Sequence, residues 1–188
     1  MRRRPQALAL LALVACLAAA GVTAQEAPPP PCGGAEYRQF DFWIGAWDVA
    51  GADGTPQGTN RIEPILGGCV LRESWAGAGG SEGHSFNLFD RQTGRWHQTW
   101  VDNSGLLLVI EGGLDEDGAM VLSGTGKTRA GAALFHRITW TPLADGRVRQ
   151  HWQTSTDGEA WSDAFLGFYS RQPGAAEGAA ESAGEGGG

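Results

Sequence analysis

Three observations predict an all-β fold, an antiparallel up-and-down β-barrel of about ten strands. From residue 42 onward, runs rich in Val, Ile, Thr, Phe and Trp recur along the chain, the composition a pleated, half-buried surface favours. Gly-containing turn signals separate these runs about every dozen residues. No stretch offers ten residues of helical periodicity. Short connections favour antiparallel neighbours and hence a meander, and closing a meander removes the unpaired edges that invite aggregation. A two-sheet sandwich is the alternative.

The elements follow in order. The stretch 40–49, FDFWIGAWDV, spaces Trp43 and Trp47 four apart but holds no run of helix formers, so it reads as a lead-in to the first strand, 47–50. Asp53-Gly54 turns the chain into 59–66 (TNRIEPIL), which runs on to 69–76 (CVLRESWA). The Gly-rich stretch 77–83 leads to 84–90 (HSFNLFD), and Thr93-Gly94 to 95–102 (RWHQTWVD). Ser104-Gly105 opens 106–112 (LLLVIEG), and Asp117-Gly118 opens 119–124 (AMVLSG). The last three runs are 134–142 (LFHRITWTP), 147–155 (RVRQHWQTS) after Asp145-Gly146, and 161–170 (WSDAFLGFYS) after Asp157-Gly158. Asp-Gly pairs suit such hairpins because Gly accepts positive φ without strain.

Strand alternation sorts the side chains by face. Trp96, Gln98, Trp100 and Asp102 share one side of their run, and Val148, Gln150, Trp152 and Thr154 share one side of theirs. A large aromatic beside amide side chains is uncommon in a solid core and is what a ligand cavity requires. His136 shares its face with Ile138 and Trp140, so it is the expected inward histidine, whereas His97 and His151 are expected outside. Asp102, followed by Asn103-Ser104-Gly105, is expected at the barrel rim.

The termini are expected to lie outside the barrel. Arg2, Arg3 and Arg4 precede an apolar stretch from Ala7 to Ala20, and Val22-Thr23-Ala24 offers the small residues of a signal-peptidase site. Residues 1–24 therefore read as a signal peptide for a periplasmic or secreted protein. Leu13-Val14-Ala15-Cys16 is a minor lipoprotein alternative. Residues 25–36 form a Pro/Gly-rich linker, 37–171 the barrel domain, and 172–188 a Gly/Ala/Glu tail expected to be disordered. No transmembrane segment is expected after processing. With the leader's three arginines set aside, 11 of the 14 basic residues face 21 acidic ones, which disfavours nucleic acid and anionic membrane surfaces as partners. Cys32 and Cys69 are the two cysteines left, and in an oxidising compartment they read as one disulfide. The sequence does not specify an oligomeric state.

Gly45-Ala46-Trp47 resembles the Gly-x-Trp signature of the calycins, the lipocalin and fatty-acid-binding barrels. In that superfamily a Trp plugs the closed end and a basic residue of the last strand packs over it. The resemblance assigns these parts to Trp47 and Arg171, with Gly45 as the bend and 40–44 as a lid. FDFWIGAWDV, with 58–75, 95–105 and 145–158, also resembles a family of exported bacterial domains that brings a calycin-like fold but no activity. A more distant likeness is to nitrobindin, a ten-stranded calycin that holds haem through one histidine and acts on nitrogen oxides. That likeness would make His136 or His151 an axial ligand, although the final run, 161–171, has no histidine.

Other motifs read as ordinary structure. Gly126-Lys127-Thr128 lacks the leading glycine of a P-loop and is expected to be a polar hairpin. The single Asp-box-like stretch 155–161 is expected to be a hairpin turn followed by a buried Trp161. No histidine pair has metal-motif spacing, so no metal site is expected, and no Gly-x-Ser-x-Gly elbow marks a hydrolase. Glu73, Asp102, Glu111 and Asp163 lie within strand runs, where a solvent-facing or loop-capping role is the default.

The leading functional expectation is binding of a small hydrophobic or amphipathic molecule. It would engage Trp75, Gln98, Trp100, Asp102, Trp140, Gln150 and Trp152, with no cofactor and no assigned catalysis. The same tryptophans would equally serve to fill the barrel. The other readings are a haem-dependent nitrobindin-like activity and an interaction module of the cell envelope.

Overall fold

The structure, a computed structural model, describes residues 31–173. The expected signal segment with Cys16, linker residues 25–30 and the tail from 174 onward lie outside the described residues. Ten strands run in chain order: β1 (Gly45–Ala50), β2 (Pro56–Ile65), β3 (Val70–Gly77), β4 (Glu82–Asp90), β5 (Arg95–Asp102), β6 (Leu107–Leu114), β7 (Met120–Lys127), β8 (Ala133–Pro142), β9 (Val148–Ser155) and β10 (Ser162–Arg171). Each pairs antiparallel with its chain neighbours, and β1 pairs with β10 to close the barrel. The expected up-and-down topology is therefore the observed one. Among the described residues, no helix is long and apolar enough to cross a membrane.

An up-and-down chain collects alternate connections at opposite ends. The β1–β2, β3–β4, β5–β6, β7–β8 and β9–β10 turns surround the open end. The other connections, together with residues 35–44, gather at the closed end.

Two 3-10 turns, Ala35–Arg38 and Asp41–Trp43, lead into β1, the first beginning just before the expected linker boundary. They carry Phe40 and Trp43 into the closed end, where both are fully buried. Phe40 stacks on Trp43 at 4.9 Å and meets Trp96 and Trp140 edge-on. The four-residue spacing of the two tryptophans has a local cause: Trp47 Nε1 donates to the Trp43 carbonyl at 2.9 Å. Cys32 and Cys69 sit at disulfide distance, S–S 2.04 Å, and tie the lead-in to the β2–β3 connection.

Trp47 and Arg171 are cross-strand partners on β1 and β10. The guanidinium lies 4.3 Å from the centre of the Trp47 ring and donates to the Ile44 carbonyl at 3.0 Å. Gly45 makes this packing possible. Its φ is +147°, and a Cβ there would lie 2.5 Å from Arg171 Nη1. Gly45→Ala is expected to cost about 1–3 kcal/mol through backbone strain and displacement of the guanidinium. Denaturant unfolding checks this, and an unchanged midpoint would refute it.

Trp161, expected to be buried, precedes β10 and is only half-buried on the outside, with Arg137 stacked over it at 4.2 Å. Trp140 does face inward, but its ring packs against Phe40 and Trp43 in the closed-end stopper. Gly126-Lys127-Thr128 forms the expected hairpin shoulder, closed by Thr128 N donating to the Ala132 carbonyl.

Candidate functional site

Above the aromatic stopper lies a layer of buried polar side chains. Period-2 alternation turns Leu71, Glu73 and Trp75 of β3 inward, and likewise Gly83, Ser85 and Asn87 of β4 and Trp96, Gln98 and Trp100 of β5. Register then places Glu73 opposite Ser85 and Asn87 opposite Gln98. Ser85 Oγ donates to Glu73 Oε2 at 2.6 Å, and Asn60 Nδ2 of β2 donates to Glu73 Oε1 at 2.7 Å. Asn87 Nδ2 donates to Ser85 Oγ at 2.8 Å, and Gln98 Nε2 donates to Asn87 Oδ1 at 2.7 Å. On the opposite wall Tyr169 of β10 donates its hydroxyl proton to Gln150 Oε1 of β9 and accepts a longer bond from Asn60 at 3.4 Å.

Glu73 corrects the expectation of a solvent-facing carboxylate, being only 4 % exposed. Burial pushes its pKa up to about 7 against the opposing pull of the Ser85 and Asn60 hydrogen bonds. Desolvation and the Glu73 charge together raise the Tyr169 phenol well above its ordinary value, so Tyr169 stays protonated at working pH.

The network floors a cavity of about 470 Å³ that opens toward the β3–β4 and β5–β6 turns. Trp75, Trp100, Trp152 and Phe165 form its aromatic wall, joined by Leu108 and Ile138. Each lining indole N–H already has a partner: Trp75 on Ser81 Oγ, Trp100 on Asp102 Oδ2, and Trp152 on His136 Nδ1, at 3.1–3.2 Å. The rings therefore offer apolar and π surface to the lumen rather than donors. Gly83 gives Trp100 its space, since a Cβ there would fall 2.2 Å from Trp100 Cζ2.

At the mouth, Asp102 caps the 103–106 turn through Ser104 N, Ser104 Oγ and Leu106 N. Partial burial pushes its pKa upward, but the Ser104, Trp100 and backbone hydrogen bonds outweigh this and hold the carboxyl below the usual range.

Of the residues expected at the site, Trp75, Gln98, Trp100, Asp102, Gln150 and Trp152 all line this one cavity, and Trp140 does not. Sequence reasoning missed Glu73, Phe165 and Tyr169, which line it as well. The alternation Leu71, Glu73, Trp75 did carry a signal for the first of these.

The two histidines offered as axial haem ligands face opposite sides of the barrel wall. His136 points inward, its Nδ1 accepts from the Trp152 indole at 3.1 Å, and its Nε2 lies against Gly126, where a Cβ would sit 3.0 Å away. Burial also lowers its pKa. His151 pairs with Asp163 on the outer face at 2.7 Å. Among the described residues, no group of three or more His, Cys, Asp or Glu side chains is arranged to hold a metal ion. No protein-family model and no curated protein sequence matches this chain.

Proposed function

We propose that the protein is an exported, calycin-like barrel that binds a small amphipathic molecule in its lumen. One observation carries the reading: an aromatic-walled cavity ends on a polar floor whose hydrogen-bonding capacity is only partly spent. Gln98 Oε1 and Gln150 Nε2 take no part in the network and remain for a ligand. The volume, about 470 Å³, falls in the usual range for small-molecule pockets, roughly 300–1,000 Å³. The apolar body would lie against Trp75, Trp100, Trp152 and Phe165, with the polar end on the floor. Export rests on the N-terminal segment and on the paired cysteines, which suit an oxidising compartment.

Titration of intrinsic Trp fluorescence with a panel of lipids and small hydrophobes tests the reading. Saturable changes are expected with at least one class. Trp100→Ala should weaken that binding about tenfold or more, because it removes a large apolar contact. A lumen that admits none of the panel would show that these tryptophans only fill the barrel.

A second reading, an envelope interaction module, draws on the outer face of β4–β6. Phe86, Val101, Leu107 and Val109 are exposed there on neighbouring strands. Charged substitutions at Val101 and Leu107 would abolish any reproducible capture from envelope extracts if this face were the interface.

A further inference from the structure

The ionisable groups lining the cavity share one character. Glu73 lies at the floor, Glu82 and Asp102 stand near the mouth, Tyr169 is a phenol, and no Lys, Arg or His is among the lining residues. A ligand with a carboxylate head, such as a fatty acid, would find no cationic partner here, two charged carboxylates at the mouth to repel it, and a third at the floor once Glu73 ionises. A cation finds the reverse. Each Glu73 oxygen accepts one protein hydrogen bond, which leaves lone pairs for further donors. Gln98 is tied to the same network through its Nε2, which reaches the Ser85 hydroxyl that binds Glu73, and its Oε1 stays free beside it. The aromatic wall of Trp75, Trp100, Trp152 and Phe165, with its indole N–H groups occupied, adds ring faces that attract cations.

Resting on the lumenal-ligand reading above, we propose that the ligand is a protonated amine on an apolar body, its ammonium donating to Glu73 and to the Gln98 carbonyl. Acidic groups at the mouth would draw such a cation in, and the chain as a whole carries a formal charge of −7.

Binding should then be linked to protons. Well below pH 7, the empty floor holds Glu73 largely protonated, so an entering ammonium must displace that proton. The other neighbours of Glu73 do not reverse this. Asn60, Ser85, Asn87, Gln98 and Gln150 are uncharged, and Tyr169 keeps its proton. His136, packed behind Trp152, would oppose a cation only when protonated at low pH, the same direction of effect.

Calorimetric titration with a matched set tests the proposal: 4-phenylbutylamine, 4-phenylbutan-1-ol and 4-phenylbutyrate, at pH 8 and pH 5.5. The amine is expected to bind at least about tenfold more tightly than the alcohol at pH 8, and the carboxylate least. At pH 5.5 the amine should lose about tenfold or more in affinity. It should also release close to one proton per molecule bound, read from buffers of different ionisation enthalpy. Glu73→Gln should erase the amine's advantage over the alcohol. Should that variant not fold, the wild-type ranking and the proton release decide alone. An alcohol or carboxylate that binds as well as the amine would overturn the amine assignment and leave the lumenal reading standing. Absence of binding by all three would overturn both.

Discussion

Trp43→Ala is expected to destabilise the protein by about 3–5 kcal/mol, the range for deleting a large buried aromatic. Trp43 is fully buried and stacks on Phe40. It also packs against Trp140 at 5.3 Å and Tyr169 at 6.4 Å. Removing the ring opens a void at the closed end that rigid strand termini cannot collapse to fill. A domain of this size has only about 5–15 kcal/mol of net stability, so the loss is a large share. Two comparisons sharpen the test. Trp43→Phe should cost distinctly less, because the Trp43 Nε1 is buried without a partner and its removal relieves an unmet donor. Trp75→Ala should also cost less, because Trp75 is only partly buried and faces the cavity. Denaturant midpoints for the three variants check the ranking. Equal costs at positions 43 and 75 would remove the distinction between stopper and cavity wall.

Glu73 is expected to make the protein less stable as pH rises through neutrality. Its folded pKa of about 7 lies above the ordinary 4.5, so the folded state holds its proton more tightly than the unfolded chain. The corresponding stabilisation is fully present below pH 4.5 and is lost as pH rises past 7. A raised pKa of this size corresponds to about 3 kcal/mol. Below about pH 4 a different set of groups acts in the opposite direction. Glu63, held low by Arg72 and Arg61, and Asp157, held low by backbone N–H groups, lose their stabilising charge there. His136, whose folded pKa lies below the ordinary 6.5, opposes this slope below about pH 6.5; between pH 6.5 and 8 the Glu73 slope dominates, and Glu73→Gln should flatten it. Unfolding measured across that window checks this. A wild-type curve that is flat or rises with pH would contradict the burial argument.

The strands and their faces were legible because alternation and turn chemistry are local. Gln98 with Trp100, and Gln150 with Trp152, point inward as the period requires. Depth along the barrel is not local. Trp140 and Trp152 both face the lumen, yet β8–β9 register sets Trp140 opposite Gln150 and Trp152 opposite Ile138. One ring thus falls among Phe40 and Trp43, and the other on the cavity wall. The lead-in that fills the closed end comes from 100 residues earlier in the chain (Phe40 to Trp140), and no periodicity reports it. Glu73 was obscured for an energetic reason. An isolated buried carboxylate is costly, so the default placed it outside. Asn60 and Ser85, on the two flanking strands, supply the hydrogen bonds that make burial tolerable, and only strand register shows them to be neighbours. Trp161 failed in the opposite sense, because an aromatic outside a barrel can be covered by one arginine.

In the proposed function, the lumen above the polar layer takes a small amphipathic molecule while the stopper stays closed. The eight tryptophans of the chain make this directly measurable through assigned indole N–H resonances during titration with 4-phenylbutylamine and 4-phenylbutan-1-ol. Saturable shifts are expected at Trp75, Trp100 and Trp152, with Trp43, Trp47, Trp96 and Trp140 unmoved. Unchanged signals at the first three with both probes at saturating concentration, or shifts centred on the stopper indoles, would contradict the proposed function.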